Sequence, residues 1–395
     1  MQSTAAHRCD GLLLAALVFV CVLGFASPPL VDLAEACPSP DTATEETVKD
    51  VYTSARTCGE CHADIYSSWK NSLHAFSMTD PIFDAAYMQA LKVGGDEARK
   101  LCLQCHAPMA AENGDYELKL GVTREGVSCD FCHTVTAVHL EDRERRFSVE
   151  PGPVKRSVIQ NTSSPAHEVA YSELHKTSEF CGGCHSYLGR SAKPIMGTYE
   201  EWKSGPYASQ GVQCQDCHMA RGEGRVVRQE IRDSTAEFHL HDLIHDTDQL
   251  RGALALRIEG ATQVSGRLQV DVVVENVGSG HMVPTGMPSR EVVLSVAVDH
   301  EGRVQTQERR FRKIVADKDG LPLTTDHEAL LFGARILNDT RIGPGEQRSL
   351  RFTFDVSQGQ KRSKVTATLS YRYSPVILRE QQVDVRMGTA ERIVY

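Results

Sequence analysis

The sequence predicts a multidomain chain: a mostly α and irregular, cysteine-rich domain followed by an all-β domain of immunoglobulin-like sandwich type. Three observations carry this. Ten of the 13 cysteines lie between Cys58 and Cys217, in five clusters of one design. Cysteine is absent after residue 217, and alternating apolar and polar residues take over from residue 249. Ahead of both domains stand a short apolar run and a polar segment rich in proline, aspartate, glutamate and threonine.

Residues 1–26 have the layout of a secretory signal peptide. His7 and Arg8 precede an apolar run from Gly11 to Phe25, and Gly24-Phe25-Ala26 offers small residues at −3 and −1 of a cut after Ala26. A retained N-terminal anchor is the alternative. The expectation is an exported protein, periplasmic or at the cell surface. Cys9 and Cys21 leave with the signal, and Cys37 lies in the expected flexible linker, residues 27–50.

Residues 51–248 hold the five clusters. They are Cys58, Cys61 and His62; Cys102, Cys105 and His106; Cys129, Cys132 and His133; Cys181, Cys184 and His185; and Cys214, Cys217 and His218. Each reads CxxCH, the attachment pattern of c-type haem. Two thiols three positions apart can each add to one vinyl group on the same porphyrin edge, and the next histidine reaches the iron as proximal ligand. Zinc knuckles do not need a histidine after every pair, and a disulfide framework needs none. The expected cofactor is therefore five covalent haems c. The motifs are irregularly spaced, which excludes a tandem repeat. Tyr66, Trp69 and Leu73 recur at helical spacing after the first motif and predict a helix with His74 on the same face.

Residues 249–395 carry strand patterns at Leu268–Val274, Glu291–Val298, Ser349–Val356 and Lys364–Tyr371. Gly278-Ser279-Gly280 and Ile342-Gly343-Pro344-Gly345 supply turns.

Each iron has a second axial position. A second histidine saturates it for electron transfer, whereas an open side permits chemistry. Of 16 histidines, His7 and the five motif histidines aside, ten remain: His74, His139, His167, His175, His239, His241, His245, His281, His300 and His327. The distal candidates are His74, His139, His167, His175, His241, His245 and His281. His167 and His175 are placed so that a helix would present both on one face. His239, His241 and His245 form a cluster from which one ligand is expected. His300 and His327 read as strand-edge or loop residues, and the methionines Met78, Met109, Met196 and Met219 as core filler.

The run CGECHADIYSSWKNSLHAFSMTD (Cys58–Asp80) resembles the first haem segment of multihaem cytochromes related to the tetrahaem cytochrome of ammonia oxidisers. EGVSCDFCH (Glu125–His133) and SEFCGGCH (Ser178–His185) are similar to later haem segments of that superfamily. GHMVPTG (Gly280–Gly286), with Met287-Pro288-Ser289-Arg290 after it, resembles a loop of relatives that append a β domain. The resemblance covers roughly residues 50–300. It implies a carrier with closely packed haems and favours His74, His167, His175 and His281 as ligands. The fifth haem motif and the His239–His245 cluster depart from the tetrahaem pattern.

The expected function is electron transfer by mainly bis-histidine haems. The alternative is a multihaem oxidoreductase acting on a small nitrogen or sulfur oxyanion at one open haem. No separate catalytic constellation stands out. Expected partners are redox proteins, either other multihaem cytochromes or a membrane quinol-oxidising complex, with self-association left open. The formal net charge of −9 argues against nucleic acid.

Overall fold

The computed structural model describes residues 50–189, 194–232, 235–243, 247–359, 361–378 and 381–395. The expected signal peptide, the linker up to residue 49, Cys9, Cys21, Cys37 and His245 lie outside the described residues. Among the described residues no helix is long and apolar enough to cross a membrane.

The cysteine-rich region is built from short helices and loops around one long helix, Pro81–His106. Asp80 starts that helix: its carboxylate accepts from the Ile82 N–H at 3.0 Å, and Pro81 occupies the first turn, where its missing N–H costs nothing. Gly95 interrupts the helix at φ 52° and ψ −132°, a left-handed backbone that glycine tolerates. The helical spacing after the first motif is only partly realised. The helix Ala63–Trp69 stops at Trp69, and the chain runs through Asn71 and Ser72 as successive turns (Ser72 N–H to Trp69 C=O, 2.8 Å). Asn and Ser compete for backbone hydrogen bonds and favour such exits. Trp69 is buried, Leu73 is exposed, and His74 lies in the turns beyond the helix.

No helix joins His167 to His175 either. Glu168–Tyr171 is a strand paired in parallel with Val154–Ser157, followed by a single 3-10 turn, Glu173–Lys176. Pro165 just upstream and the Val169–Tyr171 alternation explain the extended backbone. A small apolar core of Tyr52, Met109, Val122, Phe131, Val135 and Phe147 holds this half together. Phe131 and Phe147 meet edge to face, 5.2 Å between ring centres.

The C-terminal region is β-rich. Its strands are β1 (Leu254–Val264), β2 (Arg267–Asn276), β3 (Arg290–His300), β4 (Arg303–Phe311), β5 (Lys313–Ala316), β6 (Arg335–Asp339), β7 (Gln347–Asp355), β8 (Ser363–Tyr373) and β9 (Val383–Val394). One antiparallel sheet has the order β7-β2-β1 and another β4-β3-β8-β9, while β5 and β6 form a ribbon. The four strand patterns seen in the sequence fall in β2, β3, β7 and β8. Leu268, Val270 and Val272 of β2 and Val292, Leu294 and Val296 of β3 point into one shared core. Tight turns at Ser265-Gly266 and Glu301-Gly302, positive in φ at both residues, close the β1–β2 and β3–β4 hairpins. Side chains bridge the sheet edges. Gln305 and Gln307 of β4 donate to the carbonyls of Asp355 and Thr353, and Arg392 of β9 donates to that of Glu259.

The described residues form one compact unit. Leu331, on a helix Asp326–Phe332, packs on Ala90 and Ala98 of the long helix. The Tyr187 hydroxyl donates to the Leu330 carbonyl at 3.1 Å. The β-rich region is thus packed against the cysteine-rich one.

Candidate haem-binding centre

The five CxxCH motifs lie on or at the end of a helix: Ala55–Gly59, Pro81–His106, Cys129–Thr134, Ser178–His185 and Cys214–His218. Helical spacing of three puts both thiols of a motif on one face, with the histidine at the exit. In the last four motifs both cysteines belong to the helix. Cys61 departs from this pattern. Its helix ends at Gly59, so Cys61 stands in the turn beyond, while Cys58 is helical. The spacing of the pair survives because the Cys61 N–H donates to the Cys58 carbonyl at 3.1 Å, a tight last turn. The Cys61 carbonyl in turn accepts from the Arg228 N–H at 2.8 Å, which ties this turn to the segment after the fifth motif. Gly59 has no side chain because the Tyr66 ring lies there; a Cβ would sit 2.6 Å from it. The helix ends early at that glycine, a residue of low helix propensity.

Three of the motif histidines are oriented by their other nitrogen. The Nδ1 of His62 donates to the Val226 carbonyl (2.6 Å), that of His106 to Ser77 (3.1 Å) and that of His133 to Arg156 (2.5 Å). A donor at Nδ1 fixes the tautomer whose Nε2 carries the lone pair a metal needs.

Opposite four of these rings stands a second imidazole. Ring centres are 6.2 Å apart for His62 and His167, 6.3 Å for His185 and His74, 6.4 Å for His133 and His241, and 6.4 Å for His218 and His281. A metal–nitrogen bond of about 2 Å on each side, plus about 1.1 Å from nitrogen to ring centre, gives about 6.2 Å. The spacing therefore fits one iron between each pair. Nδ1 of His167 donates to the Glu168 carbonyl and that of His281 to Met282, both at 3.0 Å, again leaving Nε2 as acceptor. Burial holds His74 down to about 3, with His185 and His106 adding repulsion. Burial likewise lowers His185 and His241 to about 4. These rings are neutral at ordinary pH, the form that ligates.

The other candidates are placed differently. His139 spends its Nε2 on the Ser148 hydroxyl at 2.8 Å. His175 lies 5.9 Å from His133, with Nδ1 on the Ser172 hydroxyl and Nε2 on the Cys132 carbonyl, both 2.9 Å. His239 uses Nδ1 on the Met219 carbonyl at 2.6 Å. His300 is buried between Ser357 and Ser363, and His327 lies on the helix Asp326–Phe332. Among the described residues no histidine ring faces His106 at the paired spacing; Phe83 stacks on the face of its imidazole, 3.8 Å between centres and 12° between planes, too close for a metal between the two rings. That aromatic neighbour was not singled out in the sequence, although it sits one helical turn before Tyr87, its own stacking partner at 5.5 Å.

Thiols of different motifs touch. Cys58 meets Cys129, Cys105 meets Cys184, and Cys181 meets Cys214. Cys217 is the exposed one of the ten, and Cys61 is half-buried. Groups tethered through these thiols would be brought near one another.

Residues 57–134 match the family of cytochrome c554 and c-prime. The chain's fold is similar to that of a penta-haem cytochrome c552 from Thermochromatium tepidum, with a TM-score of 0.69 and 22% identity over 87% of this chain and 99% of that one. Matches to a beta-glucosidase from Kluyveromyces marxianus (TM-score 0.18, 10% identity, 36% of this chain and 14% of that one) and to the N-terminal domain of PorA (0.15, 15%, 35% and 82%) carry no argument. No curated protein matches the chain in sequence.

Proposed function

We propose that this chain, a multihaem c-type cytochrome by its fold and its first motifs, is an electron-transfer protein with five covalent haems, four of them between two histidines. The observation that carries this is the set of four facing imidazole pairs at 6.2–6.4 Å. The proposed pairs are His62 with His167, His185 with His74, His133 with His241 and His218 with His281. When bound, haem supplies a one-electron iron couple whose potential its surroundings tune. The ten thiols from Cys58 and Cys61 to Cys214 and Cys217 tether it, and the Nδ1 donors lock the imidazoles. Saturating both axial positions leaves iron nothing to bind, which suits electron passage.

The thiol contacts support an order of exchange. The Cys58 and Cys129 motifs are neighbours, and the Cys181 motif neighbours both the Cys105 and the Cys214 motifs. Exposed Cys217 makes the last motif a natural port for redox partner proteins, either other multihaem cytochromes or a membrane quinol-oxidising complex. The apolar run at residues 11–25 supports export to the periplasm or cell surface. The strand orders β7-β2-β1 and β4-β3-β8-β9 support an immunoglobulin-like sandwich, with β4 extending the second sheet.

A second reading rests on His106, across from which no imidazole stands among the described residues: one open haem acting on a small nitrogen or sulfur oxyanion. Low-temperature electron paramagnetic resonance of the oxidised, haem-loaded protein tests both. Four pairs predict low-spin signals for about four haems in five and a high-spin signal for the fifth. A second high-spin haem would refute the pairing. Turnover of an oxyanion by the reduced protein, abolished by His106→Ala, would establish the second reading.

A further inference from the structure

The segments carrying His218 and His281 are distant in sequence, yet both are fastened to one short helix, Thr198–Lys203. Trp202 holds the proximal side: its indole N–H donates to the Val212 carbonyl at 2.8 Å, two residues before the motif helix begins at Cys214. Glu201, its neighbour, holds the distal side. Its Oε2 accepts from the Thr285 hydroxyl at 2.6 Å, and its Oε1 accepts from Arg341 Nη1 at 2.6 Å. The same Arg341 Nη1 donates to the Pro284 carbonyl at 3.3 Å, while Nε and Nη2 fork onto Asp339 at 2.9 and 2.7 Å. Thr198, at the start of the helix, lies 2.9 Å hydroxyl to hydroxyl from Thr285.

The loop held this way, Gly278 to Gly286, is rich in glycine and has little stiffness of its own. On its other side Asn276 Nδ2 donates to the His281 carbonyl at 3.0 Å, and the Ser279 hydroxyl stands 3.0 Å from His281 Nδ1. The Glu201 and Arg341 side chains are only 9% and 7% exposed. A buried ion pair is a weak source of net stability, since apolar packing does as well; its use is to fix one geometry. The geometry it fixes here is the distance between two ligand-bearing segments.

We propose that Glu201 is a positioning residue for the iron site between His218 and His281, with the helix Thr198–Lys203 setting the separation of the two imidazoles. The inference rests on His281 being an axial ligand. Glu201 anchors Thr285, Thr285 anchors the loop, and the loop presents His281 at bonding distance.

The test uses full-length, haem-loaded protein in four forms: parent, His281→Ala, Glu201→Gln and Thr285→Val. Thr285→Val keeps the buried ion pair and removes only the hydroxyl link, so it remains informative if Glu201→Gln fails to fold. Low-temperature electron paramagnetic resonance and a spectroelectrochemical titration are recorded on each. His281→Ala is expected to turn one further haem, about one in five, high-spin. Glu201→Gln and Thr285→Val are expected to move the same haem alone, by partial high-spin conversion or a shifted g-tensor and potential, with added imidazole restoring the low-spin signal. If His281→Ala leaves the spin count unchanged, the ligand assignment fails and the proposal with it. If His281→Ala converts one haem while Thr285→Val and any folded Glu201→Gln protein keep the parent's spectrum and potentials, the positioning role alone is overturned.

Discussion

Phe83 lies face to face with His106, 3.8 Å between ring centres and 12° between planes, too close for an iron between them, and among the described residues no imidazole stands across from this motif histidine at the spacing the others show. A phenyl ring cannot ligate iron. The haem held by Cys102 and Cys105 is therefore expected to bind carbon monoxide when reduced, at about one haem in five, while the paired haems do not. Phe83 packs on the face of the proximal imidazole and not across the iron, so Phe83→Ala should leave both that stoichiometry and the association rate unchanged. Flash photolysis of the carbonyl adduct measures both, and binding at two or more haems would contradict the four pairs.

Gly59→Ala should destabilise the first motif, because its Cβ would fall 2.6 Å from the Tyr66 ring. The expected loss is about 1–3 kcal/mol, the usual range for overpacking. Tyr66→Ala in the same chain should recover part of it, so the two changes should be non-additive. Denaturant unfolding of the four combinations gives the coupling energy; strict additivity would show that the ring moves aside freely.

Asp130 follows Cys129 in the third motif, is 1% exposed, and accepts from the Thr53 N–H at 2.6 Å and from Lys155. A buried carboxylate there favours oxidised, more positive iron. Asp130→Asn should raise the potentials of the haems on the Cys58 and Cys129 motifs, on the order of tens of millivolts. Lys155→Met should lower them, since it leaves the carboxylate without its cation. Potentiometric titration with per-haem assignment decides; a shift of both variants in one direction would mean that charge is not the cause.

Lys313 is 3% exposed, and burial, with Arg341 beside it, pushes its ammonium down to about 8, against about 10.4 in an unfolded chain. Between those values the unfolded state binds the extra proton, so stability rises with pH from about 8 to about 10.4. Lys313→Met should flatten this rise and be relatively more stable below pH 8. Its cost is the unpaired Ile195 carbonyl, which Lys313 now serves at 2.5 Å. Denaturant midpoints of the two proteins across that window measure the difference; parallel curves would show that Lys313 does not titrate there.

The cysteine motifs were legible because covalent attachment demands a local pattern, and the strands β2, β3, β7 and β8 because a two-sided sheet imposes a period of two. The pattern does not say which cysteine is helical: Cys61 falls past the end of its helix because Gly59 makes room for the Tyr66 ring, a contact outside the motif. Distal histidines are another matter. His167 and His175 look alike in the sequence, yet His167 faces His62 while His175 has both nitrogens engaged by Ser172 and Cys132. That distinction comes from a parallel strand pair, Val154–Ser157 with Glu168–Tyr171, whose formation depends on a non-local partner. The long helix Pro81–His106 was hidden by Gly94-Gly95, which reads as a breaker but produces only a kink. β1, β4 and β9 lack clean alternation because one or both of their faces meet solvent or side chains of the opposite sheet's edge.

The bridging side chains Gln305, Gln307 and Arg392 have a consequence for assembly. A sheet grows from one molecule into the next when an outer strand offers a free row of main-chain donors and acceptors. Here the carbonyls of Asp355, Thr353 and Glu259 are already engaged by neighbours from the facing sheet. A second copy approaching those edges would have to displace native hydrogen bonds before adding its own. Chains of such molecules, where they form, are accordingly expected to be wired through the surfaces that bring metal groups near one another, and not stitched together by β-strand exchange.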